Sequence, residues 1–413
     1  MPSAVLVKLD PTPRQERMLV AHAGAARFAY NCLLAHVKAD MDARVKPEWS
    51  MYALRKWWNV NKRTLAVNAD TGLPWWQEYS KEAYSYAAQC LANGLFNWSQ
   101  FRHGKRYGRR VGFPAFKCKN KTRMAFAYTT GSFGIVADNP HAVRLPKVGV
   151  VHCFENVTKR VHGVHVLRMS VNKQGDGWYA SLTLDKQPAG VAHAHGNVGV
   201  DLGIKQFATI SDGTVIPNPH PYRTAKRKIG RLQRKLGRQQ YDSHRYQQTK
   251  QHLNAQYART RHIRLDMQHK LSTYLVRHWQ SIGIEDLNVQ GMVKNRRLAQ
   301  AIQDAAFYQF RTLLTYKSLA SNTNLVIADR FYPSSKTCSQ CGSVKTKLSL
   351  TQRTYKCEHC GFELDRDLNA AINLAQLAKS ALESLNARGA DIRPVSNAPY
   401  RQSAMKREPS SKH

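Results

Sequence analysis

The chain of 413 residues carries 63 Lys and Arg against 27 Asp and Glu, a formal charge of +36, and 42% of it is apolar. The length predicts two to four units rather than one ordinary domain, and the apolar fraction excludes a disordered chain. A charge of this size calls for a polyanionic partner, nucleic acid above all, and no run of 18 apolar residues marks a membrane span.

Residues 3–9, SAVLVKL, alternate like a strand, and no basic-then-apolar signal pattern opens the chain. Thr12 fits a helix N-cap, with Pro13 in the first helical position and Gln15 completing a capping box. Leu19, Ala23, Ala26, Tyr30 and Leu33 then follow at helical spacing, and helical patterning is expected to about residue 107. Six of the eight tryptophans (Trp49, Trp57, Trp58, Trp75, Trp76 and Trp98) fall inside it and read as packing groups. From GFPAFKCK (112–119) the texture changes to β-branched, alternating segments separated by Gly, Asn and Asp turns. These predict short antiparallel strands which, with residues 3–9, suggest a small barrel interrupted by the helical insert.

Residues 186–197, KQPAGVAHAHGN, read as a linker, and His193 and His195 within it lack a third neighbouring ligand. Two or three strands are expected over 197–216. Residues 223–270 hold 14 Lys and Arg against only Asp242 and Asp266 and predict two long helices. Charge of one sign repels itself unless it is neutralised, so a phosphate-facing surface is expected there, with Lys226, Arg227, Lys228, Arg231, Arg234 and Lys235 as its leading cations. IGIEDLNV (282–289) reads as a strand with two acids at its centre. One helix with Ile302, Ala306, Phe310 and Leu313 on a common face follows, then a strand at 323–331. The polar, aperiodic tail 386–413 is expected to be disordered.

Cys338, Cys341, Cys357 and Cys360 form C-x2-C-x15-C-x2-C, the spacing of two knuckles that present four thiolates to one tetrahedral zinc ion. With all four positions supplied by the chain, such a site is closed and structural. Gly342 and Gly361 each follow a knuckle's second cysteine, where the chain must turn sharply. Cys32, Cys90, Cys118 and Cys153 lack this spacing and read as packing residues.

Three further acids stand out. Asp201 in VGVDLG and Glu285 in GIEDL lie in apolar strands, where an unpaired charge is costly, and Asp367 opens a helix just past the second knuckle. The order hairpin, helix, strand, helix, strand, helix fits a ribonuclease H-like fold. There, carboxylates from neighbouring strands and a helix converge and need divalent cations between them, the requirement of two-metal phosphodiester cleavage. Asp286 points away from Glu285 if both lie on a strand. Spacing does not choose between Asp365 and Asp367.

The strings GVDLGIKQFATISDG, GIEDLNVQGMVKN, YPSSKTCSQCG and CEHCGFELDRDLNAAINLA resemble TnpB, the transposon-encoded RNA-guided endonucleases related to type V CRISPR effectors. The resemblance implies a multidomain α+β chain. A wedge β-barrel (1–10 and 108–190) carries a helical recognition domain (11–107). A RuvC-like nuclease domain (197–332 and 365–385) carries an inserted zinc ribbon (333–364). It implies Asp201, Glu285 and Asp367 as the nuclease acids, favouring Asp367 over Asp365, with one structural Zn2+ and two-ion Mg2+ catalysis. The implied partners are a guide RNA derived from the transposon end and target double-stranded DNA with its unwound strands, in a prokaryotic cytoplasm at the nucleoid, with oligomeric state open. Competing readings are a nuclease-independent RNA-guided repressor, a DNA-only transposase or resolvase, and a zinc-dependent nucleic-acid binder whose acids are structural.

Overall fold

A computed structural model describes residues 3–106, 108–119, 121–129, 131–185, 193–349 and 352–387. The expected disordered tail lies outside the described residues beyond 387. The chain divides into two compact units, residues 1–186 and 187–413.

In the first unit, β1 (Ser3–Asp10) leads through a capping box into α1 (Pro13–Asp42). Thr12 Oγ1 accepts from the Gln15 amide at 3.3 Å, and Gln15 Oε1 accepts from the Thr12 amide at 3.0 Å. Two more helices follow, α2 (Met51–Leu65) and α3 (Lys81–Arg102). They close on a core of Leu33, Leu34, Leu54, Trp58, Leu91 and Leu95. Trp58 is buried there, Trp49, Trp57, Trp75 and Trp76 pack against the same cluster, and Trp98 meets Trp49 and Phe113 edge-on.

The remaining strands are β2 (Ala125–Thr129), β3 (Gly134–Ile135), β4 (Ala142–Leu145), β5 (Gly149–Cys153), β6 (Val166–Gln174) and β7 (Gly177–Leu184), with the short helix α4 (Val157–Val161) between β5 and β6. Their order is β2-β6-β7-β1-β5-β4-β3, so the first strand of the chain lies mid-sheet, antiparallel to both β7 and β5. The hydrogen-bonded ladder is open, with β2 and β3 at its edges. Cys153 is buried in this sheet and Cys32 and Cys90 pack on the helices, whereas Cys118 is exposed rather than packed.

The second unit is a five-stranded sheet of order β10-β9-β8-β11-β12. β8 (His195–Leu202), β9 (Gln206–Ile210) and β10 (Val215–Pro217) form the antiparallel part, and β11 (Trp279–Ile284) and β12 (Asn324–Ile327) add in parallel. The two long helices expected between them are α5 (Pro221–Gly237) and α6 (His244–His278). A short α7 (Val289–Met292), then α8 (Ala299–Ala305) and α9 (Phe307–Ser321), lead to β12, and α10 (Arg366–Ala387) ends the described chain.

Beyond Cys118, the structure corrects four expectations. β8 starts at His195, so strand replaces the end of the expected linker, whose residues 186–192 lie outside the described ones. β11 stops at Ile284, leaving Glu285 and Asp286 beyond its end rather than at its centre. β12 stops at Ile327, short of 331. The helix expected through Ala306 is broken there, because Ala306 adopts the left-handed conformation (φ 53°) and turns the chain between α8 and α9.

Alternation along β8 and β11 explains how the sheet is covered. Val198, Val200, Leu202, Ile282 and Ile284 join a core with Leu271 and Leu275 of α6 and Phe310 and Leu314 of α9. The intervening Asn197, Gly199, Ser281 and Gly283 face α10: Asn197 Nδ2 donates to the Ala375 carbonyl and the Ser281 hydroxyl to the Ala378 carbonyl, both at 3.0 Å. A Cβ on Gly199 would overlap the Ala371 carbonyl, and one on Gly283 the Leu374 carbonyl. The helix therefore lies directly on the strands, with Ala371, Ala375 and Ala378 as its small contact residues.

Candidate active site and metal centre

The close seat of α10 decides where three carboxyls go. Gly199 and Gly283 are partners in the parallel register; Asp201 stands two residues further along β8, on the face that meets α10, and Glu285 lies two residues past Gly283, just beyond the end of β11. That step of about 7 Å along the strands runs towards the N-terminus of α10, where Asp367 is the second helical residue. Burial above all, then the charges of Glu285 and Asp367, hold Asp201 well above the usual carboxylate range, while Arg366 pulls the other way. Burial likewise raises Glu285, partly offset by a hydrogen bond from the Ser334 hydroxyl to Glu285 Oε1, with Asp367 adding to the rise.

The neighbouring acids are engaged elsewhere. Asp286 is held by ion pairs to Arg311 and Arg330. Asp365 Oδ1 accepts the amides of Asp367 and Leu368 at 2.9 and 3.0 Å, the bonds of a helix N-cap. With the cap supplied by Asp365, the Asp367 carboxyl is left to face the other two, its nearest cation being Arg366 at 3.4 Å. Spacing alone left this pair open; the hydrogen bonds separate their roles. Burial, then neighbouring carboxylates, raise the cost of charge on Asp201 and Glu285, and with Asp367 beside them these three acids are a donor set suited to divalent cations.

The second centre lies on the loop between β12 and α10. Among the described residues, the four cysteines are the one group of His, Cys, Asp or Glu whose ligand atoms all lie within 4.8 Å of one another, a cluster able to bind a metal such as zinc. Cys338 and Cys360 Sγ are 3.7 Å apart, and Cys341 and Cys357 Sγ 3.6 Å. Gly342 and Gly361 both take φ 75°, the left-handed turn each knuckle requires. The Ser343 hydroxyl, 3.2 Å from the sulfurs of Cys341 and Cys357, brings these thiols down to about 7 and about 5, which favours the thiolates that a metal binds. Against a lowering backbone hydrogen bond at Phe362, desolvation and hydrogen bonds with the other sulfurs push Cys360 up to about 12. The knuckles rest on a small β-hairpin, β13 (Thr354–Lys356) and β14 (Glu363–Asp365), and β14 delivers the chain to Asp367.

A row of amide side chains, not anticipated from the sequence, ties the first knuckle to α10. Asn369, Asn373 and Gln376 share one helical face. Asn369 Nδ2 donates to the Thr337 carbonyl (2.7 Å), and its Oδ1 accepts from the Ser339 amide (3.0 Å). Asn373 Nδ2 donates to the carbonyls of Ser334 (2.7 Å) and Thr337 (2.8 Å), and Gln376 Nε2 to that of Ser339 (2.9 Å). Asn369 and Asn373 are fully buried. Asparagines inside an otherwise alanine- and leucine-rich helix were the signal in the sequence, as was the repeated Gly-x-acid of GVD and GIE.

Lys226, Arg227, Lys228, Arg231, Arg234 and Lys235 are all exposed on α5, which buries Ala225 and Ile229 against Leu253 of α6. No ion pair engages these six among the described residues, although Lys226 Nζ donates to Gln300 Oε1 at 2.9 Å. No described helix is long and apolar enough to cross a membrane.

Three family profiles match the chain. One described as a probable transposase covers residues 182–296, one described as Cas12f1-like, TNB domain, covers 307–374, and one described as a helix-turn-helix domain covers 1–44. The last stretch is here a strand followed by one uninterrupted helix of 30 residues. Among curated proteins, the "Putative RNA-guided DNA endonuclease MT2953" of Mycobacterium tuberculosis (strain CDC 1551 / Oshkosh) is 36% identical over 395 residues, spanning 89% of this chain and 85% of that protein. The "Putative RNA-guided DNA endonuclease" of Streptomyces pristinaespiralis is 31% identical over 408 residues, spanning 97% and 94%. Among solved structures, the mini-RNA-guided endonuclease CRISPR-Cas_phi3 aligns over 92% of both chains at 10% identity, with a TM-score of 0.45.

Proposed function

Because the chain belongs to the OrfB (TnpB-like) family of RNA-guided DNA endonucleases, we propose that it cuts DNA next to a short flanking motif at a RuvC-like site formed by Asp201, Glu285 and Asp367. The observation that carries this reading is the convergence of these carboxyls from β8, the end of β11 and the first turn of α10, where burial and neighbouring carboxylates make ionisation of Asp201 and Glu285 costly. Asp201, Glu285 and Asp367 would hold two Mg2+ ions, whose charge would activate a water and stabilise the leaving oxygen. The chain's own residues set the stage for that chemistry. Ser334 orients Glu285, Asp365 caps α10 so that Asp367 remains available, and Arg311 and Arg330 withdraw Asp286.

In this reading the sheet of the first unit is the wedge, α1 to α3 the recognition insert, and 333–364 a ribbon holding one structural Zn2+. The guide RNA comes from the transposon end and reads the target by base pairing, while protein cations hold backbones. The exposed row on α5 is suited to that work.

The test is to purify the protein from cells carrying its native flanking DNA, sequence the RNA that stays bound, and offer a matching target in Mg2+. A discrete structured RNA, guided cleavage, and loss of cleavage but not of RNA in Asp201→Ala are expected. Cleavage that survives ribonuclease would favour a DNA-only enzyme. Guided binding without cutting would favour a repressor.

A further inference from the structure

Phe331 is 88% exposed, more than any other large apolar side chain among the described residues. Single apolar side chains on a surface are ordinary, so exposure alone means little. What sets this ring apart is the hydrogen-bonded turn beneath it and what that turn is tied to. The Phe331 amide donates to Asp329 Oδ1 at 2.8 Å and the Tyr332 amide to the Asp329 carbonyl at 3.0 Å, which closes a tight turn under the ring. On one side Arg330 Nη2 holds Asp286 Oδ2 at 2.9 Å, next to Glu285. On the other, the Tyr332 hydroxyl donates to the Asn373 carbonyl at 3.3 Å, and the Ser334 hydroxyl donates to Glu285 itself. Two residues separate Phe331 from Ser334, three steps along the chain and a reach of at most about 10 Å. The fold thus fixes a flat apolar face in water within a short span of the acid cluster, and spends none of it on packing.

We infer that Phe331 is a stacking platform for a nucleobase of the DNA strand being cut. This inference rests on the reading of Asp201, Glu285 and Asp367 as the nuclease acids. A base inside a duplex has both faces covered, whereas a base of an unwound strand offers one, and an aromatic ring takes it whatever its sequence. Cutting requires that one phosphate stop at the carboxylates. A ring anchored through Arg330 and Ser334 to the Asp286–Glu285 pair is placed to fix that register. Phe331 acts as a positioning residue: it touches substrate and leaves the chemistry to the acids.

The test uses the guide-loaded complex with Phe331→Ala, Phe331→Leu, Phe331→Tyr and Phe331→Trp. At 88% exposure none of these should disturb folding, which equal melting temperatures and equal retained guide RNA would verify. Loss of one stacked base is expected to raise KM for a single-stranded target by about 5- to 150-fold in the Ala and Leu variants, with kcat little changed, and Tyr and Trp should restore it. In parallel, a target strand carrying 2-aminopurine is bound to complexes that also hold Asp201→Ala. Its fluorescence should be quenched with Phe331 and recover in Phe331→Ala. Unchanged KM together with unchanged quenching in Phe331→Ala would overturn the proposal. So would rescue by Leu equal to that by Tyr, or a loss confined to guide RNA binding. If the wild-type complex cuts nothing, the nuclease reading fails, and the fluorescence arm still decides the stacking.

Discussion

Asp201 carries the conflict of the site in one side chain. The residue is half-buried, and desolvation followed by the charges of Glu285 and Asp367 holds its carboxyl well above the usual carboxylate range. The folded protein therefore binds this proton more tightly than the unfolded chain does. The resulting stability is fully present below the unfolded carboxylate pKa and is lost as pH rises through the folded value, so at neutral pH this carboxyl costs stability relative to acid. Asp201→Asn removes one charge at nearly constant shape. In EDTA at neutral pH the variant is expected to melt higher than the wild type by a few degrees, at ~2–4 °C for each kcal/mol recovered in a unit of this size. Its melting temperature should also respond less to acidification. Mg2+ should raise the melting temperature of the wild type and barely move that of the variant, since a cation that binds only the folded state stabilises by mass action. Differential scanning calorimetry with and without Mg2+ reads all three. Equal melting temperatures in EDTA would mean that the carboxyls do not strain one another.

At the scale of elements, the contact of α10 with β8 and β11 matters most, because it fixes the distance between Asp367 and the strand acids. The contact exists only because Gly199 and Gly283 lack a Cβ: on Gly199 it would overlap the Ala371 carbonyl and stand 2.9 Å from the Leu374 carbonyl carbon. Gly199→Ala must push the helix away, and a cost of about 1–3 kcal/mol or more is expected, together with weaker cleavage as Asp367 is displaced. Gly196→Ala, in the same strand but with open space around it, should stay within about 0.5 kcal/mol. Urea midpoints of the two variants make the comparison, and equal destabilisation would put the cause in strand propensity instead of close packing. This is also where legibility in the sequence divides. The cysteine knuckles could be read from spacing, since ligand geometry is local and the turns are short. The strand carrying Asp201 and the one that ends just before Glu285 could be read from their apolar residues, though the end of the second could not. The break at Ala306 could not, because an alanine with φ 53° follows from the packing of α8 and α9 and leaves no local mark. Nor did spacing separate Asp365 from Asp367, which differ by which one caps the helix.

For the whole molecule the governing quantity is its charge of +36. Within residues 221–240 there is no acid at all, and Asp266 on the next helix is already paired with Lys270. Arg227, Arg231 and Arg234 recur at helical spacing as one exposed stripe on α5, continued by Arg238 at its C-cap, with Lys228 and Lys235 beside it. A merely solvated face gains nothing from being all one sign, whereas a face against phosphate releases a counterion for every charge it neutralises. Arg227→Glu, Arg231→Glu and Arg234→Glu together are therefore expected to weaken guide RNA binding and to flatten its salt dependence. The slope of log K against log salt should fall by ~0.7–0.9 for each phosphate the protein no longer neutralises. The melting temperature should hold, because all three side chains are exposed and α5 packs on α6 through Ala225, Ile229 and Leu253 on the other face. Filter binding across a salt series measures the slope. An unchanged slope would return α5 to the role of a solvated helix, and the polyanion would have to be held by cations elsewhere on the chain.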